Sequence, residues 1–123
     1  MPRILIVDDD SQFRRTLRLA LALFGYDALE SSSGRAALAN SEARELIILD
    51  RHMGGMDGIQ TCRALRAKSS VPIIMISGDR STTKADAIKA GANSYLPKPF
   101  SINDLVALIE SCLTDSNVSS GIN

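Results

Sequence analysis

Three consecutive acids, Asp8, Asp9 and Asp10, stand directly behind an apolar run, ILIV at residues 4–7. Like charges this close repel, and a folded domain usually disperses them. Three further polar residues end or follow apolar runs. Asp50 ends ELIILD, Ser77 ends VPIIMIS, and Lys98 lies between two prolines just after NSYL. Carboxylates gathered in one pocket call for a cation among them. Mg2+ is the expected one, because it is a hard ion commonly held by one or two carboxylates together with phosphate oxygens and water. A hydroxyl and a fixed lysine beside it complete the parts needed to bind and transfer a phosphoryl group. An aspartate can itself be the nucleophile, giving an acyl phosphate.

This chemistry requires residues scattered over some 90 positions to meet, so the elements that carry them decide the matter. ILIV, ELIILD and VPIIMIS are short, continuous and rich in β-branched residues, the pattern of strands buried on both faces. YDALESSS and NSYL read as two further, shorter strands. Between them lie helical patterns: residues 11–25 with Phe13, Leu17, Ala20, Leu21 and Phe24 on one side, an Ala-rich stretch at 34–43, then 59–67 and 82–90. The last is 101–113, with Ile102, Leu105, Leu108, Ile109 and Cys112 as its stripe. Strand and helix thus alternate five times. The expected fold is α/β: a five-stranded, doubly wound, flavodoxin-like parallel sheet of order 2-1-3-4-5 with five helices, joined by right-handed crossovers. Ligands bind such sheets beyond the carboxyl ends of the strands, which is where Asp8, Asp9, Asp50, Ser77 and Lys98 all fall.

The 123 residues suit one compact domain, expected over residues 1–114, with residues 115–123 (DSNVSSGIN) as a polar tail or linker. Lysines and arginines number 14 and acids 14, so bulk charge points to neither a nucleic-acid nor a membrane partner. Cys62 and Cys112 show no metal or redox spacing, and they read as buried free thiols of a reducing compartment. There is no secretory leader pattern and no run of about 18 apolar residues, so a cytoplasmic location is expected.

Each polar residue also has a plain structural role open to it. Acids ahead of a helix cap it, and Asp10 or Ser11 is the expected cap of the first helix. Ser77 before Gly78 suits a turn, a lysine between prolines suits a solvated loop, and His52, the one histidine, suits an exposed loop. Their joint occurrence at four strand ends of one sheet is what argues for a site.

At that point the chain resembles the response-regulator receiver domains of bacterial two-component signalling, of the chemotaxis-receiver type. ILIVDDD, LIILDRHMGGMDG, VPIIMISG and GANSYLPKPF occur in order and at the expected spacing, and the likeness covers residues 3 to about 114. The resemblance implies Asp50 as phosphoacceptor. It implies Mg2+ held by Asp8, Asp9, Asp50 and the backbone carbonyl of His52. Ser77 would turn toward the phosphoryl group, Lys98 would pair with it, and Ser77 and Tyr95 would form the switch. It also implies a cis bond before Pro99. A sensor histidine kinase or phosphotransfer protein would be the donor. An output domain or downstream protein would read the face made by the fourth helix, fifth strand and fifth helix, with no nucleic acid or membrane bound by this domain.

The departures are specific. Gly54 stands where the family usually has proline, which predicts a more mobile loop, and Arg51 puts a cation beside the site. His52 and Asp79 flank the route of water to an acyl phosphate. Asn93 and Ser94 replace acids, and Leu108 an arginine, that many DNA-binding relatives carry on the output face.

Two other readings fare worse. An Mg2+-dependent phosphatase with an aspartyl nucleophile needs a second aspartate two residues on, where His52 stands, and a cap domain. A flavin-phosphate binder needs a Ser/Thr/Gly loop after the first strand, where three acids would repel the phosphate. A signalling module is therefore expected rather than an enzyme, with at most slow self-dephosphorylation.

Overall fold

The computed structural model describes the backbone of residues 1–122 and the side chains of residues 1–114. Ten elements alternate along the chain: β1 (Arg3–Val7), α1 (Ser11–Leu23), β2 (Asp27–Ser31), α2 (Gly34–Asn40), β3 (Leu46–Asp50), α3 (Gly58–Lys68), β4 (Ile73–Ser77), α4 (Lys84–Ala90), β5 (Ser94–Pro97) and α5 (Ile102–Ile122). The five strands pair in parallel in the order β2-β1-β3-β4-β5, the expected architecture.

Strand alternation sorts the apolar residues into two layers. Leu5, Val7, Ile47, Leu49, Ile73 and Met75 meet Ala37, Cys62, Leu65 and Ala87 from α2, α3 and α4. Ile4, Ile6, Leu46, Ile48, Ile74 and Ile76 meet Leu17 and Leu21 of α1 and Leu105, Val106 and Ile109 of α5. Both cysteines are buried, as expected, and neither is in a disulfide. Among the described residues no helix is long and apolar enough to cross a membrane.

Helix starts follow capping chemistry. Asp10 caps α1 by accepting the Gln12 and Phe13 N–H groups at 3.0 and 3.2 Å. Asp57 with Gln60, and Thr83 with Asp86, form reciprocal capping boxes at α3 and α4. α5 runs further than the sequence reading, which ended it at residue 113. The polar residues after Leu113 include no proline, and the first glycine is Gly121, so nothing in the backbone chemistry stops the helix earlier.

One arginine ties the amino end of the sheet together. Arg66 donates from Nε to the Gly91 carbonyl (2.9 Å), from Nη1 to those of Ser69 and Val71 (3.0 and 2.7 Å), and from Nη2 to Asn93 Oδ1 (2.9 Å). The same Asn93 oxygen accepts the Ile73 N–H at 2.9 Å.

Candidate functional site

The strand register brings the scattered residues together. Val7 pairs with Leu49, so Asp8 follows beside Asp50, and Asp50 pairs with Ile76. Ser77 is one residue beyond and pairs with Pro97, which Lys98 follows. The sheet itself thus gathers these residues at its carboxyl edge.

The three adjacent acids have three different jobs. Asp10 is the cap. Asp8 is 1% exposed and accepts the Asp10 N–H at 2.9 Å through Oδ1. Asp9 is exposed, and its Oδ2 accepts the Gly54 N–H at 3.2 Å. A proline at residue 54 has no N–H to offer, so the glycine found here supplies a tether between the β3–α3 loop and the acid cluster.

One carboxylate oxygen from each of Asp8, Asp9 and Asp50 lies within 4.8 Å of the others. Lys98 Nζ is 3.3 Å from Asp8 Oδ2 and 3.8 Å from Asp50 Oδ1. Burial, and next the Asp8 charge, push the Asp50 carboxyl up to about 6, against the opposing pull of Lys98 and the His52 N–H. A single lysine does not neutralise three acids, and an all-oxygen donor set of this size suits a hard divalent cation.

Lys98 is held from behind by aromatic rings. Its Nζ lies 4.1 Å from the centroid of the Phe13 ring, and Phe100 meets Phe13 edge-on at 6.3 Å. Phe13 had read only as part of the apolar stripe of α1. Its place between sheet edge and lysine has no local sequence signal. The Lys98–Pro99 peptide bond is cis.

Ser77 is buried, and its Oγ accepts the Asp79 N–H at 3.0 Å. Tyr95 is half-buried, and its hydroxyl donates to the Thr82 carbonyl at 3.0 Å. A cavity of about 210 Å³ is bounded by Ser77, Thr82, Tyr95 and Lys98. His52 Nε2 lies 2.9 Å from Asp79 Oδ2, an ion pair that joins the β3–α3 and β4–α4 loops when the imidazole is protonated. Bonds from the Ser81 N–H and hydroxyl hold the Asp79 carboxyl below its ordinary range.

Gly58 is a functional position that sequence reading passed over. A Cβ there would collide with the Asp50 carbonyl oxygen and sit 2.6 Å from Arg51 Cα, so α3 can start this close to Asp50 only on a glycine. Gly58→Ala is expected to destabilise the fold by about 1–3 kcal/mol by forcing α3 away from the Asp50 backbone. Urea denaturation measures this, and an unchanged midpoint would contradict the close approach.

A five-stranded 2-1-3-4-5 sheet with an acid pair, one buried and one exposed, a further buried aspartate, a serine and a lysine at its carboxyl edge defines a receiver. The chain belongs to the response regulator receiver domain family, whose model matches residues 4–110. It is a receiver domain of a two-component response regulator. Among its relatives is the sensory transduction protein RegX3 of Mycobacterium tuberculosis, 35% identical over 130 residues, which cover 99% of this chain and 57% of that protein. Another is the transcriptional regulatory protein ResD of Bacillus subtilis, 36% identical over 124 residues, 98% of this chain and 52% of that one. The receiver domain of the Francisella response regulator 1452 superposes with a TM-score of 0.87 at 29% identity, covering 94% of this chain and 99% of that one. The chain spans just over half the length of the two full-length relatives.

Proposed function

We propose that this receiver takes a phosphoryl group on Asp50 from a sensor histidine kinase or phosphotransfer protein, in a Mg2+-dependent reaction. The observation that supports this best is a buried carboxylate, Asp50, lying against a second buried acid and under a lysine. In the proposed step an Asp50 oxygen attacks phosphorus, and the bond from phosphorus to the donor histidine nitrogen breaks. That nitrogen leaves with the electron pair and takes up a proton from solvent. Asp8, Asp9, Asp50 and the His52 backbone carbonyl would hold Mg2+, which when bound neutralises the acids and offers a positive centre to phosphoryl oxygens.

The phosphoryl group on Asp50 carries about two negative charges, roughly one more than the carboxylate it replaces, and places them further out from the sheet edge. Lys98 is within reach of them already. The Ser77 hydroxyl reaches them by giving up the Asp79 N–H, and the cavity beside it leaves room for Tyr95 to shift. Tyr95 ties β5 to the segment preceding α4, so its movement changes the α4–β5–α5 face. The likeness to the transcriptional regulatory protein ResD supports an output that regulates transcription, carried by a further domain or a downstream partner. In this reading residues 115–123 lead away from the receiver as a polar tail or linker. The domain acts as a signalling module and does not itself contact nucleic acid.

Acetyl phosphate with Mg2+ is expected to add one phosphoryl group, read by intact-mass spectrometry, and EDTA to prevent it. Uptake indifferent to EDTA would remove the metal from this reading. A second expectation concerns the output face. Asn93 is engaged by Arg66 and the Ile73 N–H, and Leu108 packs partly buried against the α5-side core. These positions contribute no surface charge, and exposed ion pairs are weak unless networked. Light scattering with beryllofluoride is therefore expected to show no charge-paired dimer on α4–β5–α5. A tight dimer dissolved by salt would overturn this.

A further inference from the structure

Helices α3 and α4 and the segments leading into them bound an open groove of about 340 Å³. It lies on the sheet face opposite α1 and α5. Its walls carry three cations, Arg51, Arg63 and Lys89, with the hydroxyls of Ser81 and Thr82 and the apolar flank of Ile59. The single acid of the wall, Asp86, accepts both the Thr83 N–H and the Thr83 hydroxyl at 3.0 Å and also feels the Arg51 and Lys89 charges, so three cations face one carboxylate. Arg63 and Lys89 are exposed and make no hydrogen bond or ion pair among the described residues. Arg51 pairs with Asp57 through Nη1 at 3.3 Å, while its Nε is buried with no partner. A buried donor without an acceptor is a costly thing to keep.

We infer that this groove is the docking site for an acidic peptide segment of a protein partner. The cations stand on three separate elements, the β3–α3 loop, α3 and α4, so they suit several carboxylates carried at intervals along a chain. One small anion meets one or two of them and leaves most of the space unfilled. Ile59 offers an apolar surface for the methylene stems of glutamates. The inference stands independently of phosphoryl transfer at Asp50, since the unpaired charges that carry it, Arg63 and Lys89, lie outside the carboxylate cluster. Thr82 both lines the groove and holds the Tyr95 hydroxyl, so an occupant touches the segment between β4 and α4.

The test is a titration of the 15N-labelled chain at low salt with a capped triglutamate peptide and, separately, with inorganic phosphate. The peptide is expected to give saturable shifts at the amides of Arg63, Ser81, Thr82 and Lys89, with phosphate clearly weaker. Arg63→Glu with Lys89→Glu is expected to weaken peptide binding by about tenfold or more. Arg35→Glu, exposed on α2, should leave it unchanged. Both reversed side chains are exposed, and an unchanged melting temperature checks that the variant is folded. Shifts spread over the whole surface, or indifferent to the double reversal, would overturn the groove. Phosphate binding as tightly as the peptide would overturn the peptide and leave a small-anion site.

Discussion

Asp50→Asn is expected to abolish phosphoryl uptake altogether and, in magnesium-free buffer, to make the protein more stable than the wild type. The two effects have opposite senses and one origin. Asparagine keeps the shape of the side chain and loses its charge, so it cannot form the acyl phosphate. It also removes one of three repelling carboxylates. Burial and Asp8 push Asp50 up to about 6 from an ordinary value near 4, so holding it ionised at neutral pH costs roughly 1–3 kcal/mol. The variant regains that amount, a rise of roughly 3–10 °C in melting temperature for a domain of this size. Millimolar Mg2+ should then raise the melting temperature of the wild type by mass action and that of the variant much less. Intact mass and a thermal melt on the same samples decide both points. Equal labelling of the two proteins would remove Asp50 from its role. A variant no more stable than wild type without metal would mean that the acids do not strain the site.

Lys98→Met should act in the other direction. Methionine keeps much of the apolar contact with Phe13 and deletes the charge that stands 3.3 Å from Asp8 and 3.8 Å from Asp50. Asp8 is 1% exposed, so water cannot take over the lysine's part. Losing one partner of a buried ion pair is strongly destabilising. The lysine side chain keeps 27% exposure, which screens part of the effect and lowers the expectation to about 1–3 kcal/mol without metal. Combining Lys98→Met with Asp50→Asn should recover much of the loss, because the second change removes a charge the lysine was balancing. Chemical denaturation of the four proteins of this cycle measures the coupling. Strictly additive effects would show that Lys98 and Asp50 do not interact.

How far the sequence anticipates the molecule depends on the range of the forces involved. Strands buried on both faces leave uninterrupted apolar strings, so β1, β3 and β4 and the polar residues at their carboxyl ends were legible at once. So was the topology, because alternation of strand and helix leaves few ways to wind the chain. The tract Asp8–Asp10 was half legible: capping describes Asp10 alone, and nothing local separates buried Asp8 from exposed Asp9. Phe13 and Lys98, 85 positions apart, meet only because of the register, and no periodicity announces it. Arg66 reads like any polar-face residue of a helix, yet it spans three segments. The exchange of proline for Gly54 was legible as a change of loop stiffness, but not the N–H that it brings to Asp9, 45 positions away. The polar run after Leu113 suggested a helix end, but composition without proline or an early glycine is no stop signal.

The clamp of Arg66 bears on how α4 can move. The carbonyl it grips at Gly91 lies immediately beyond the C-terminal end of α4, and the Asn93 it grips precedes β5. At the other end, besides the packing of Ala87 on the core, the tyrosine hydroxyl of β5 holds the Thr82 carbonyl just ahead of α4. The helix is thus mounted like a door, with a rigid hinge at one end and a light latch at the other. With the latch released, the N-terminal end of α4 keeps fewer ties than the end that Arg66 grips. That end also borders the groove shared with α3, so latch and groove meet in one segment, at Thr82.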